Sequence, residues 1–105
     1  MDETSDSWRA RYDCAEKLCK YIDNTYIVNP APHKIDQVII ELIKAWKHFA
    51  GPPDDIYTRM VAAEDVCRYI DQTYMPSGDL PQKIPPVVDS TMLIFARDWS
   101  ASLSM

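Results

Sequence analysis

The chain has 105 residues, of which 47% are hydrophobic, 26% are charged and only 2 are Gly. This length fits one domain, and the apolar content is high enough for a packed core, which excludes a disordered chain. The formal net charge of −5 and the pI near 4.8 argue against general nucleic-acid binding, which requires a basic surface. The sequence contains no apolar run of the ~20 residues that a membrane span needs, and its acidic start is unlike a secretory leader, so we expect a cytoplasmic protein without membrane binding.

The first half of the chain is predicted to form a helix, a Pro-rich loop and a second helix. Apolar residues recur at spacings of three and four in the first helix, and Ser5 and Ser7 offer oxygens for its N-cap. Its apolar stripe comprises Trp8, Tyr12, Ala15, Cys19, Ile22 and Tyr26. The second helix is expected from about Lys34 to Ala50, because the Gly-Pro-Pro that follows cannot continue a helix. Its stripe comprises Ile35, Val38, Ile39, Leu42, Trp46 and Phe49.

The second half of the chain repeats this pattern. Residues 63–74 read AEDVCRYIDQTY where residues 15–26 read AEKLCKYIDNTY, so eight of the twelve positions are identical at an offset of 48. Beyond the Pro-rich gap the alignment uses an offset of 49, which pairs Trp46 with Phe95. We therefore predict an internal duplication of a unit of about 48 residues.

The third and fourth helices follow from this repeat. The third has Asp54 or Asp55 as its N-cap, and the fourth is expected to begin near Pro85 and Pro86, because Pro suits the first helical turn. The apolar stripe of the third helix comprises Ile56, Met60, Ala63, Cys67, Ile70 and Tyr74, and that of the fourth comprises Val88, Met92, Phe95 and Trp99.

Two tandem helical hairpins, over about residues 5–50 and 54–103, are the predicted architecture of this single domain. Short connections place consecutive helices side by side and antiparallel. Two units are few for an open solenoid, which typically needs three. The predicted fold class is therefore all-α, a closed four-helix bundle.

The residues capable of catalysis or metal binding have ordinary structural explanations. Cys19 and Cys67 are repeat equivalents on the apolar stripe, so we predict buried, reduced core residues; a redox pair joined by the internal axis is the alternative. His33 and His48 lack the spacing of a zinc site, and no short catalytic motif occurs in the sequence. We therefore expect no metal, no cofactor and no enzyme activity.

The acidic residues of the first and third helices are predicted to face solvent. Glu16 and Glu64 are repeat equivalents on the polar face of their helices. Asp71 follows Arg68 by three positions, and Asp23 stands in the same relation to a Lys, a spacing that favours surface ion pairs.

A second ridge lies beside the apolar stripe on the first helix of each hairpin. It comprises Arg11, Cys14, Leu18, Tyr21 and Thr25 in one repeat and Arg59, Ala62, Val66, Tyr69 and Thr73 in the other. A helix that contacts two neighbours would explain this wide face; the alternative is an exposed surface for association, because Tyr and Arg are favoured in interfaces. The candidate binding residues are Arg11, Lys20, Tyr21, Thr25, Arg59, Arg68, Tyr69 and Thr73.

These features favour a non-enzymatic, acidic helical protein that binds another protein, as an adaptor, an assembly factor or an inhibitor. Its size and charge are compatible with an inhibitor that a phage or plasmid encodes against a host enzyme. The alternative is a small-molecule or nucleotide binder, in which Lys20 with Tyr21 and Arg68 with Tyr69 present twinned cationic and aromatic groups.

The two ridges also predict self-association. A helix in a four-helix bundle needs only about a 100° apolar stripe, so the tyrosine-bearing ridges would remain partly uncovered. A homodimer would cover both, since two-fold dimers are the commonest soluble oligomers. We therefore expect a dimer that the double substitution Tyr21→Lys and Tyr69→Lys weakens.

Overall fold

The computed structural model describes the backbone of residues 3–29, 35–49 and 56–103, and the side chains of residues 9–29, 35–49 and 57–103. Within these ranges the chain forms no strand and four α-helices: α1 (Glu3–Ile22), α2 (Gln37–His48), α3 (Ile56–Tyr74) and α4 (Ser90–Ser102). A π-helical segment, Asp23–Val28, continues α1. The prediction of an all-α fold with four helices is therefore confirmed.

Aspartate caps define where α2 and α4 begin. The Asp36 carboxylate accepts a hydrogen bond from the Val38 N–H at 2.9 Å, and Asp89 accepts one from the Met92 N–H at 2.8 Å. The expected start of the fourth helix near Pro85 and Pro86 is wrong, because that helix begins only after the Asp89 cap.

Some predicted features lie outside the residues that the structure describes. They are the N-caps Asp54 and Asp55, the side chains of Trp8, His33 and Ile56, and the Gly51-Pro52-Pro53 joint. The prediction that Ser5 or Ser7 caps the first helix is wrong, because both lie within α1, which already includes Glu3.

The helices pack mainly across the boundary between the two hairpins. The first helices, α1 and α3, contact each other, and α4 packs against both. The second helix of the first hairpin, α2, packs mainly on α3 and contacts α1 much less. The expected close pairing of the first and second helices within one hairpin therefore holds for α3 with α4 but is weak for α1 with α2. This packing is consistent with a bundle.

The core lies where the predicted stripes meet. Cys19 on α1 and Ala63 on α3 are fully buried, and the Cys19 thiol lies 3.8 Å from the Ala63 carbonyl oxygen. Small side chains at this contact let the two helix backbones approach closely. The other fully buried members of the predicted stripes are Ala15, Ile22, Ile39, Cys67, Ile70 and Met92. Val38 and Phe49, which were also expected in the stripe of the second helix, are exposed.

Candidate functional site

A buried carboxylate on α3 is bound by two other helices. Glu64, whose side chain is only 4% exposed, accepts hydrogen bonds from Nε and Nη2 of Arg11 on α1, the Nη2 bond measuring 2.9 Å. It also accepts one from the indole N–H of Trp99 on α4, at 2.9 Å. The bonds to Glu64 raise the pKa of Arg11, and burial opposes this effect without cancelling it. Glu64 therefore joins α1, α3 and α4.

A second cluster also consists of a Glu, an Arg and a Trp, but here the Glu lies on α1 and the Arg on α3. Glu16 on α1 accepts hydrogen bonds from Arg59 on α3 at 2.7 and 3.1 Å and from the indole N–H of Trp46 on α2 at 2.7 Å. The prediction that Glu16 and Glu64 face solvent is therefore wrong. Both are buried because each has a guanidinium and an indole partner that compensate for its lost hydration.

Two further carboxylates are each bound by a pair of tyrosines from the other hairpin. Asp89, the cap of α4, accepts hydrogen bonds from Tyr21, at 2.7 Å, and from Tyr26. Asp36, the cap of α2, accepts them from the hydroxyls of Tyr69 at 2.6 Å and Tyr74 at 2.5 Å. The four tyrosines are thus positioned by carboxylates that also begin a helix.

The ionisation of these groups is shifted in opposite directions. Burial alone would raise the pKa of Asp36, but the hydrogen bonds from Tyr69, Tyr74 and the Val38 N–H lower it overall. Burial and the hydrogen bond to Asp36 raise the pKa of Tyr74 well above its usual range. The cluster is therefore most stable as a charged aspartate with neutral tyrosines.

These contacts show where the structure places the candidate binding residues. Arg11, Tyr21, Arg59 and Tyr69 are half-buried and bonded to carboxylates of another helix, so they join elements of this chain. The remaining four, Lys20, Thr25, Arg68 and Thr73, are exposed except for the half-buried Thr25.

The ridge beside each stripe is largely covered within the chain. Leu18 and Val66 are fully buried, which agrees with the interpretation that each first helix contacts two neighbours. A dimer through Tyr21 and Tyr69 stays a prediction, and the double substitution to Lys would also remove their hydrogen bonds to Asp89 and Asp36.

The surface ion pairs also differ from the expected ones. Asp23 pairs with Lys47 on α2 at 3.1 Å instead of the preceding Lys20. Arg68 pairs with Asp65 at 3.2 Å instead of Asp71, and its guanidinium lies over the Trp99 ring.

The equivalent contacts reveal a different alignment of the second helices. Trp46 and Trp99 occupy the same place in the two glutamate clusters, and Asp36 and Asp89 do so in the two tyrosine clusters. Both pairs are 53 residues apart, so these contacts favour an offset of 53 over the expected offset of 49, which pairs Trp46 with Phe95. The sequence signal for these residues is an Asp followed ten positions later by a Trp in each half.

The thiols agree with their predicted structural role. Cys19 and Cys67 are fully buried and free, and burial raises the pKa of both thiols well above the usual value. His48 is exposed and contacts the Phe49 ring edge-on at 5.2 Å between centroids. Within the described part of the chain, no group of three His, Cys, Asp or Glu side chains could hold a metal ion, and no helix is long and apolar enough to cross a membrane.

An apolar groove of about 290 Å³ lies on the surface between α2 and α3. Its lining includes Leu42, Ala45 and Phe49 from α2 and the end that follows it, and Tyr57, Val61 and Ala62 from α3. Four of these residues remain substantially exposed: Ala45, Tyr57 at 63%, Phe49 at 39% and Val61 at 37%. Neighbouring apolar side chains are therefore accessible along one face of α3.

A second hollow, of about 240 Å³, adjoins this groove on the other side of Tyr57 and Val61. Arg11, Glu64 and Arg68 contribute to its lining. The exposed ridge of α3 thus separates an apolar groove from a hollow that two guanidinium groups border.

The four exposed residues of the groove correspond to charged or polar residues in the other half of the chain. The residues 48 positions before Tyr57 and Val61 are Arg9 and Asp13, and both are exposed. The residues 53 positions after Ala45 and Phe49 are Asp98 and Ser102. The less exposed groove residues Leu42 and Ala62 correspond to Phe95 and Cys14, which are also apolar. The two halves therefore share their buried polar clusters and differ in the exposed part of the groove.

Comparison with known proteins identifies no relative: no protein-family model matches this chain, and no match was found among curated proteins or solved structures.

Proposed function

We propose that this chain is a non-enzymatic protein-binding module and that its contact surface is the groove between α2 and α3. The observation that carries the proposal is the replacement of the charged pair Arg9 and Asp13 by Tyr57 and Val61 at corresponding positions. The exposed charges of Arg9 and Asp13 at the corresponding positions of α1 support the interpretation that packing does not require apolar side chains at Tyr57 and Val61. Exposed apolar surface that the fold does not need is typical of an interaction site.

The polar clusters support a structural role for the buried carboxylates. Glu16 and Glu64 each bind an arginine and a tryptophan, and Asp36 and Asp89 each bind two tyrosines. Groups that neutralise one another inside the fold are poorly placed to exchange protons with a substrate. The nucleotide-binding alternative has less support, because Tyr21 and Tyr69 are half-buried and their hydroxyls are engaged.

The proposed architecture is a duplicated hairpin whose copies have diverged on one face. Identity between residues 15–26 and 63–74 and the matching polar clusters support a common origin of the two halves. Divergence of the groove after duplication would separate a conserved scaffold function from a new binding function. The three free cysteines support action in the reducing environment of the cytoplasm.

A capture experiment with matched variants tests this function. Val61→Asp places on the groove the acid found 48 positions earlier, and Ile94→Asp is its control. Ile94, on α4, is 41% exposed and outside both hollows, and the residue 53 positions earlier is an acid, Glu41. At physiological salt, the wild-type chain and Ile94→Asp should retain the same protein from host extract, and Val61→Asp should lose it. Equal retention by all three chains would contradict the proposal.

A further inference from the structure

The surface along α3 is long compared with a metabolite. Both hollows adjoin α3, and the residues that line them extend from Tyr57 to Arg68. Eleven residues of α-helix rise by roughly 16 Å, which is the length of about three helical turns. A surface of this length suits a segment of polypeptide better than a small molecule.

The groove side of this surface selects apolar side chains. Phe49, Val61 and Ala62 present carbon atoms to the groove, with Leu42 and Ala45 at its α2 wall. An amphipathic helix fills such grooves with anchor residues spaced three and four apart, because these project from one face.

The other hollow is bordered by two arginines, each of which is paired with a carboxylate of α3. Arg11 bonds Glu64 through Nε and Nη2, so Glu64 does not use the Nη1 edge of the guanidinium, and the Arg11 side chain is 36% exposed. Arg68 bonds Asp65 in an exposed pair that contributes little to stability and can therefore be exchanged. Its position over the Trp99 ring, at 5.6 Å from the centroid, holds the guanidinium beside the hollow.

We propose that the partner segment is an amphipathic helix that places apolar side chains in the groove and a carboxylate against Arg11 and Arg68. This inference rests on the proposed function and specifies the chemistry of the partner. The partner's carboxylate would accept hydrogen bonds from Nη1 of Arg11 and from Arg68, and it would replace Asp65 as the acceptor for Arg68.

Three synthetic peptides titrated into the ¹⁵N-labelled full chain test this inference. The first is a 16-residue amphipathic helix with leucines at helical spacing and glutamates beside them. The second carries lysines in place of the glutamates, and the third carries serines in place of the leucines. The glutamate peptide should bind with a Kd of about 100 µM or tighter, and the lysine peptide about tenfold more weakly. The serine peptide should not bind.

The net charge of the protein makes this comparison stringent. Because the protein has a net charge of −5, general electrostatic attraction favours the lysine peptide. Tighter binding of the glutamate peptide therefore requires a local cationic site. Arg68→Gln should weaken the glutamate peptide about fivefold and leave the lysine peptide unchanged or tighter. Val61→Asp should weaken both, and Ile94→Asp neither, with folding of each variant checked by circular dichroism.

The outcomes separate this inference from the function on which it rests. Equal binding of the two charged peptides, with sensitivity to Val61→Asp, would overturn the carboxylate and retain the groove as a binding surface. Absence of glutamate-peptide binding at 1 mM would overturn the inference, and the capture experiment would then decide the function independently. Binding that is insensitive to Val61→Asp would contradict both.

Discussion

At the scale of single residues, the polar clusters explain how a small acidic protein keeps carboxylates inside. The sequence around Glu64 does not predict that its side chain is buried, because its partners Arg11 and Trp99 lie 53 and 35 residues away. A helical pattern places a Glu on one face of a helix, but it does not say which element covers that face. The clusters therefore depend on tertiary contacts that periodicity does not encode.

Replacing the buried carboxylate should destabilise the fold markedly. Glu64→Gln removes the charge that neutralises Arg11, whose side chain is one-third exposed, so we expect a loss of about 2–3 kcal/mol in the free energy of unfolding. The control is Glu41→Gln, because Glu41 forms only an exposed pair with Lys44 and should change stability by less than about 0.5 kcal/mol. Urea denaturation measures both. Similar losses in the two variants would mean that Glu64 is accessible to water.

The Asp36 cluster predicts a loss of stability in acid. Because the pKa of Asp36 is lowered in the folded chain, its charge stabilises the fold above the ordinary aspartate pKa of about 3.9. That contribution disappears as the pH falls through the lowered folded value. Asp36→Asn should lose about 1–2 kcal/mol at pH 7, since Asn still caps a helix but accepts weaker hydrogen bonds.

The pH dependence distinguishes the charge from the cap. The difference in unfolding free energy between pH 7 and pH 3 should be smaller in Asp36→Asn than in the wild type, whereas Asp13→Asn on the exposed surface of α1 should leave it unchanged. If Asp36→Asn lost as much unfolding free energy between pH 7 and pH 3 as the wild type, the loss would have to come from other carboxylates.

At the scale of helices, the sequence predicted the existence of each element better than its ends or partners. Spacings of three and four identified all four helices, because each has an apolar side to bury. The fourth helix was predicted to begin near Pro85 and Pro86, but these prolines lie in the loop before Asp89, which caps α4. The longer second loop also hid the correspondence of Trp46 with Trp99, since an alignment with a gap of one residue pairs Trp46 with Phe95, whereas Trp99 requires a gap of five.

The end of α1 shows a backbone feature with no sequence signal. Tyr21 and Tyr26 are five residues apart, which on an α-helix directs them about 140° apart, yet both reach Asp89. The π-helical segment Asp23–Val28 reduces this angle, because its hydrogen bonds join residues five apart. It is not required for the arrangement, since Tyr69 and Tyr74 have the same spacing and also share one carboxylate. Tyr74 reaches the same arrangement at Asp36 as the last residue of α3.

The contact between α1 and α3 should not tolerate a larger side chain. Ala63 is fully buried and its carbonyl faces the Cys19 thiol, so Ala63→Leu would force the two helices apart. We expect a loss of about 1–3 kcal/mol. Ala101→Leu, on the exposed side of α4, should change stability by less than about 0.5 kcal/mol. Thermal or urea unfolding measures both, and equal stability of the two variants would show that α1 and α3 are loosely packed.

At the scale of the whole molecule, each hairpin supplies the carboxylate that pairs with an arginine of the other hairpin. Arg11 needs Glu64, and Arg59 needs Glu16, so the two halves complement each other through contacts of the same kind. Two chains could form the same contacts by exchanging hairpins, which is a low-energy route to dimers.

A rigid joint between the hairpins should force this exchange. Replacing residues 50–54 with alanine-rich helical sequence would fuse α2 to α3 and prevent them from packing side by side in one chain. We expect a dimer of twice 12.1 kDa with wild-type helicity, seen by light scattering and circular dichroism. A Gly-rich replacement of equal length should retain the wild-type oligomeric state. A monomer with reduced helicity in the rigid variant would show that the hairpins do not pair between chains.

The separation of these partners along the chain also governs what happens during translation. Tyr21 lies 68 residues before Asp89, so a ribosome adding 5–20 residues per second leaves it without its partner for about 3–14 s. During that interval Leu18 and Ile22, which are fully buried in the finished fold, lack the helices that cover them. The nascent first hairpin therefore exposes apolar side chains of the kind that chaperones bind, and its contacts with α4 can form only after α4 has left the ribosome.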